Sequence, residues 1–151
     1  MSFKRRLLPS TFLAAMALSA SLSFAADPNV WPLPPEKTSG ALSYTSGGVP
    51  HEQLPAVRAA RGDYPLVLEL YERVGNKNGY TAYVEVRITD SKGNVVLEDK
   101  SEGPFFLVKA PPGNYTVEAS LGGRTLPKQR VSVPARGSKR VVFIFPQASK
   151  G

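Results

Sequence analysis

From residue 64 onward the chain alternates. Tyr64, Leu66, Leu68 and Leu70 fall on one side of an extended backbone, and Pro65, Val67, Glu69 and Tyr71 on the other. Successive side chains of a strand point to opposite faces, so this period of two predicts a β-strand. Ala82, Val84, Val86 and Ile88 alternate in the same way with Tyr83, Glu85, Arg87 and Thr89, the pattern of a half-buried strand. Shorter strands are predicted at residues 95–97 and 105–109. Tyr115, Val117, Ala119 and Leu121 then alternate with Thr116, Glu118 and Ser120. Residues 124–134 form a further strand with Val131 and Val133 inward, and Pro127 places it at a sheet edge or a bulge because proline cannot donate to a ladder. Residues 139–145 close the domain. Polar and glycine-rich runs at 75–79, 90–94, 110–114 and 122–123 supply the turns. Seven short strands at near-regular spacing, with no βαβ alternation, predict an all-β fold: a seven-stranded antiparallel β-sandwich without a parallel sheet.

One helix is expected ahead of the strands. Gly47-Gly48 marks a turn, Pro50 suits a first helical position, and residues 51–61 follow with Leu54, Val57 and Arg61 on one face before Gly62 closes the segment. Pro55 is tolerable there only within the first turn. Residues 27–43 carry Pro28, Pro32, Pro34 and Pro35 with no apolar period, so this arm reads as extended or polyproline-like. Its Trp31, the only tryptophan, is either an anchor tying the arm to the domain or an exposed partner contact. Residues 141–145 and most of 66–70 are apolar on both faces. One face of a sandwich sheet normally meets water, so something must cover the outer face there; the helix and the Trp31 arm are the available covers.

The N-terminus changes the accounting of charge and compartment. Lys4, Arg5 and Arg6 precede an apolar stretch, and Ser23-Phe24-Ala25-Ala26 follows it. This is the layout of a secretory signal peptide over residues 1–25, cleaved between Ala25 and Ala26. The uninterrupted apolar core is far shorter than the roughly 20 residues a spanning helix needs. The expected location is therefore periplasmic or secreted, with no transmembrane segment in the mature chain. Three of the 19 Lys and Arg lie in the signal, leaving 16 basic residues against 12 acidic, a mild net charge of +4. Export and the lack of a groove-reading motif argue against nucleic acid, and none is expected as a partner. The chain has no cysteine, which excludes disulfides, thiolate metal sites and a lipoprotein anchor.

At Gly103-Pro104-Phe105-Phe106-Leu107-Val108-Lys109-Ala110-Pro111-Pro112-Gly113-Asn114-Tyr115-Thr116-Val117 the chain resembles the carboxypeptidase regulatory-like domain, a transthyretin-like (prealbumin-like) sandwich whose hallmark is a strand, Pro-Pro-Gly-x-Tyr-x-Val and a glycine turn. The Pro-Gly pair builds a tight turn between neighbouring strands, and Tyr115 buries a ring whose hydroxyl seeks a partner. The likeness covers residues 80–146, including Asp90-Ser91-Lys92-Gly93-Asn94-Val95-Val96; with the patterns above, the chain divides into a signal peptide (1–25), an arm with a short helix (26–62), the sandwich (63–146) and a tail (147–151). It implies a binding, spacer or stability module in a small exported bacterial protein, not a peptidase.

The residues agree with that implication. His51 is the only histidine, so a multi-histidine zinc site is impossible, and a hydrolase could use only His51 as base, without a Gly-x-Ser-x-Gly turn to hold a nucleophile. No cofactor and no metal are expected. Gly47 and Gly48 ahead of a helix offer either a structural turn or an anion cradle, with His51 and Glu52 beside them. Arg124, Lys128, Arg130, Arg136, Lys139 and Arg140 crowd the last two strands. If those strands pair, several charges share a patch, which is either a site for an anionic partner or the ordinary protection of a sheet edge by charge. The expected function is a non-catalytic exported binding or accessory module for a protein or envelope component, with contacts at Gly47, Gly48, His51 and Glu52 and at Arg124, Lys128, Arg130, Lys139 and Arg140. The alternatives are a structural part of an envelope assembly and a hydrolase built on His51.

Overall fold

The computed structural model describes Pro28 and residues 31–149. The signal peptide and its cleavage residues Ala25 and Ala26 lie outside the described residues. Two β-sheets enclose the core. Sheet A contains β1 (Lys37–Ser39), β2 (Leu42–Gly47), β3 (Leu66–Val74), β4 (Lys77–Tyr80), β7 (Phe105–Lys109) and β11 (Lys139–Phe145), in the order β1-β2-β7-β3-β11 with β4 hairpinned onto the far half of β3. Sheet B contains β5 (Glu85–Asp90), β6 (Val95–Lys100), β8 (Gly113–Leu121), β9 (Arg124–Thr125) and β10 (Gln129–Val133), in the order β10-β8-β5-β6 with β9 on the end of β8. The inner faces are those the alternation marks. Leu66, Leu68 and Leu70 of sheet A pack with Val86, Ile88, Val117 and Ala119 of sheet B, and with Val84 just ahead of β5, in one apolar cluster.

The strand pattern departs from expectation in four places. The end of the extended arm and the approach to Gly48 form a hairpin of β1 and β2; β2 is an interior strand paired with β7, and Leu42 and Tyr44 are core residues. Residues 77–80 pair with β3 although Asn78-Gly79 reads as a turn. The predicted strand 124–134 is two strands: Pro127 falls in the break, and both pieces bond to β8. The sandwich is also not wholly antiparallel, because β11 lies parallel to β3 from Lys139↔Leu66 to Phe145↔Glu72. A parallel neighbour here needs no helical crossover, since the chain travels through sheet B before it returns to sheet A.

Pro111-Pro112-Gly113 joins β7 of sheet A to β8 of sheet B, so it turns the chain between sheets rather than between paired strands. The Tyr115 ring is buried, and its hydroxyl donates to the Pro111 carbonyl at 2.8 Å, which closes that corner.

The outer face of sheet A is covered in part by residues 51–63: a one-turn 3-10 helix (His51–Gln53), α1 (Leu54–Ala60) and a second 3-10 turn (Arg61–Asp63). Leu54 and Val57 sit on Phe105, and Tyr64 packs with Val67 and Leu107. The arm contributes through Leu33, which joins both clusters, and through Pro34, whose carbonyl accepts from Thr45 Oγ1 at 2.8 Å. Trp31 stays exposed, and its contact is main-chain: its N–H donates to the Glu52 carbonyl at 3.3 Å. The arm is therefore anchored by leucine and backbone rather than by the tryptophan ring.

Candidate functional site

The helical cover stops short of β11, and what it leaves open is chemically unlike the rest of the sheet. Strand alternation puts Val67, Glu69 and Tyr71 on the outer face of β3. The register sets Arg140, Val142 and Ile144 of β11 beside them, with Phe105 of β7 opposite Glu69 and Tyr80 of β4 opposite Tyr71. Glu69 is thus a carboxylate between Phe105 and Val142, and it is 3% exposed. A carboxylate there needs partners, because an unpaired buried charge costs several kcal/mol, roughly.

Two cations and a hydroxyl meet it. The Arg140 guanidinium donates to Glu69 Oε2 at 2.5 Å, the Tyr71 hydroxyl donates to the same oxygen at 3.1 Å, and Arg61 Nη1 lies 3.6 Å from Oε1. Burial pushes the Glu69 carboxyl up, but the Arg140 hydrogen bond and charge, the Tyr71 hydroxyl and the Arg61 charge outweigh it and hold the group below the usual carboxylate range. Tyr71 is pushed up to about 12 by burial and by the Glu69 charge. Both arginines keep their outer ends in water, at 49% and 61% side-chain exposure. They line an open cleft of about 530 Å³ with Gly62, Val67, Glu69 and Ser138.

An aromatic strip continues from this cleft along the same face. The rings of Tyr71 and Tyr80 stack at 5.3 Å, and Tyr80 leans on Phe105 at 5.5 Å. Tyr80 is nearly half exposed and Ile144 is exposed. Arginine and tyrosine, which meet on this face, are among the residue types enriched at interface hot spots.

The residues singled out in the sequence fare differently. Gly47 is the last residue of β2 and Gly48 follows it, and both are buried. The Gly48 N–H donates to Gln53 Oε1 at 3.1 Å, its φ is 104°, and a Cβ there would sit 2.9 Å from the Phe105 ring. Their glycines serve close packing, and α1, at seven residues, is too short for a helix-end anion site. His51 and Glu52 are exposed on the cover. The last two strands do not pair, so the expected basic patch is divided. Arg124, Lys128 and Arg130 are carried by sheet B and its connections; Arg124 reaches across to Glu72 of β3 at 3.1 Å, and Lys128 pairs with Glu118 at 3.6 Å. Lys139 and Arg140 begin β11 in sheet A, and only Arg140 joins the cleft. Arg136 lies in the exposed loop between them. A second cleft of about 890 Å³ on sheet B is lined by Thr89, Thr116, Glu118, Lys128, Arg130 and other polar residues, an ordinary solvated outer face.

Glu69, Tyr71, Tyr80 and Arg61 were not among the expected contacts. The one available signal was Glu69 itself, the only charge in the run Leu66-Val67-Leu68-Glu69-Leu70. Among the described residues no helix is long and apolar enough to cross a membrane, and no cluster of three or more His, Cys, Asp or Glu could hold a metal ion. Neither a protein-family model nor a curated protein matches the chain.

Proposed function

We propose that this chain is an exported, non-catalytic binding module that engages a protein or other envelope component through the open half of the sheet A outer face. The observation that carries this reading is the placement of Glu69. An ion cluster occupies a sheet position where an apolar residue would pack at no electrostatic cost, and exposed tyrosine and isoleucine side chains continue the same surface. Export is supported by the layout of residues 1–25. Assignment to the transthyretin-like, carboxypeptidase regulatory-like class is supported by the two-sheet architecture and by the Tyr115–Pro111 corner that follows Pro-Pro-Gly. The interior position of β2 and the parallel β3–β11 pair are features that assignment has to accommodate.

The test is partner retention from a native envelope extract. Tyr80→Ser and Ile144→Ser should each lower recovery of a bound component by about tenfold, the loss expected from truncating an interface anchor worth ~1.4 kcal/mol. Arg130→Gln on sheet B should leave recovery unchanged. Equal recovery with all three variants would remove the sheet A face from consideration.

A further inference from the structure

We propose that the cleft between the end of the helical cover and the start of β11 receives an oxyanion, a carboxylate or phosphate group of the ligand, between Arg61 and Arg140; this rests on the sheet A face being the binding surface. One carboxylate offsets one guanidinium, and Arg140 already supplies that partner at 2.5 Å. Arg61 is surplus. At 3.6 Å from Oε1 it is attracted by the Glu69 charge but lies beyond hydrogen-bond distance. Its planar fork of donors suits a carboxylate or phosphate. Arg61, Arg140 and Glu69 together leave one net positive charge facing a cleft of about 530 Å³, room for an oxyanion with a substituent attached. Gly62 keeps that wall open, with no atom within 4 Å of where a Cβ would stand, and Ser138 adds a hydroxyl at the rim.

Glu69 then acts as an internal counter-ion. It orients Arg140, fixes the position of the cleft, and competes with any incoming anion. The competition gives the proposal a signature that a purely structural ion cluster lacks: neutralising Glu69 must tighten anion binding. One unit charge about 4 Å away is worth roughly fivefold in affinity even at the dielectric of bulk water.

The experiment is an amide NMR titration of the full mature chain with inorganic phosphate in one arm and acetate in the other. Ionic strength is held constant with chloride. Saturable shifts are expected at Arg61, Gly62, Ser138 and Arg140, and the arm that saturates at the lower concentration identifies the group. Glu69→Gln should bind at least about fivefold more tightly. Arg61→Gln, which leaves the Arg140–Glu69 bond in place, should weaken binding by a similar factor with an otherwise unchanged spectrum, and Lys100→Gln on sheet B should bind as the parent does. Shifts that rise linearly in both arms, or a Glu69→Gln affinity equal to or below the parent's, would overturn the proposal. If partner recovery still depends on Tyr80 and Ile144 after such a result, the oxyanion site alone is lost and the binding face remains.

Discussion

Replacing Arg140 with glutamine isolates the energetics of the cleft. The substitution leaves Glu69, 3% exposed, with only the Tyr71 hydroxyl at 3.1 Å and Arg61 at 3.6 Å. Removing one partner of a fully buried pair costs about 3–5 kcal/mol. Arg140 is 61% exposed, so water screens its share and can partly replace it. Discounted for that screening and for the partners that remain, the expected loss is about 1–2 kcal/mol. Urea unfolding at neutral pH should therefore show a midpoint lower by about 0.5–1 M, given a slope of about 2 kcal/mol/M, the middle of the usual range. The pH dependence fixes the sign. Glu69 has a folded pKa below its unfolded value, so its contribution is present above about pH 4.3, the ordinary glutamate value, and is lost as pH falls through the lower folded value. The gap between variant and parent should accordingly close in acid. In a Glu69→Leu background, where no buried charge needs a partner, Arg140→Gln should cost almost nothing. An unchanged midpoint at neutral pH, or an equal loss in acid and in the Glu69→Leu background, would refute the assignment of Arg140 as the principal partner of a buried carboxylate.

Other expectations follow from the packing and the tyrosines. Leu54→Ala empties the contact between α1 and Phe105 and should cost about 2–3 kcal/mol by urea unfolding, the lower part of the range for a buried leucine because the site lies under a surface helix. Gly103→Ala places a Cβ 2.3 Å from the Gly47 carbonyl oxygen and should cost about 1–3 kcal/mol, whereas Gly62→Ala meets open space and should leave the midpoint level or slightly raised. Tyr71 is held up to about 12 and Tyr44, buried and bonded to Asp99, is also raised, so near-ultraviolet absorbance at about pH 11 should show fewer than the six phenolates the sequence would yield unfolded. Because these folded values lie above the unfolded one, the stability they contribute is full below about pH 10 and falls as pH rises through them; complete ionisation at about pH 11 in a folded chain would contradict their burial.

Much of the sandwich was legible because its strands obey one period. The alternation of Val84, Val86 and Ile88, and of Tyr115, Val117 and Ala119, marks inner faces that the structure fills. The double-sided apolar character of residues 66–70 called for a cover, and Leu33, Ala60 and Tyr64 supply it over Val67. The rest lacked a local signal. In β2, Thr45, Ser46 and Gly47 look like a turn, yet Ser46 Oγ donates to the Phe105 carbonyl at 3.0 Å and accepts from the Glu102 N–H at 2.9 Å, so its polarity is satisfied inside the sheet. The parallel β3–β11 pair depends on which sheet the chain returns to, and no short stretch encodes that. The candidate site is of the same kind. Glu69 stands out in its run, but Arg140 is 71 residues away, and only the register of β11 on β3 brings the two together. Charge counting along residues 124–140 pointed to a patch that the separation of β10 and β11 divides.

The central claim is that partners meet the outer face of sheet A. A photocrosslinking side chain placed at Ile144 tests it most directly, with Arg87 on the outer face of sheet B as the comparison. In a native envelope the position at 144 should yield a discrete adduct that weakens in the Arg61→Gln background, while the position at 87 yields none. Adducts of equal strength at both positions, or at 87 alone, would contradict it.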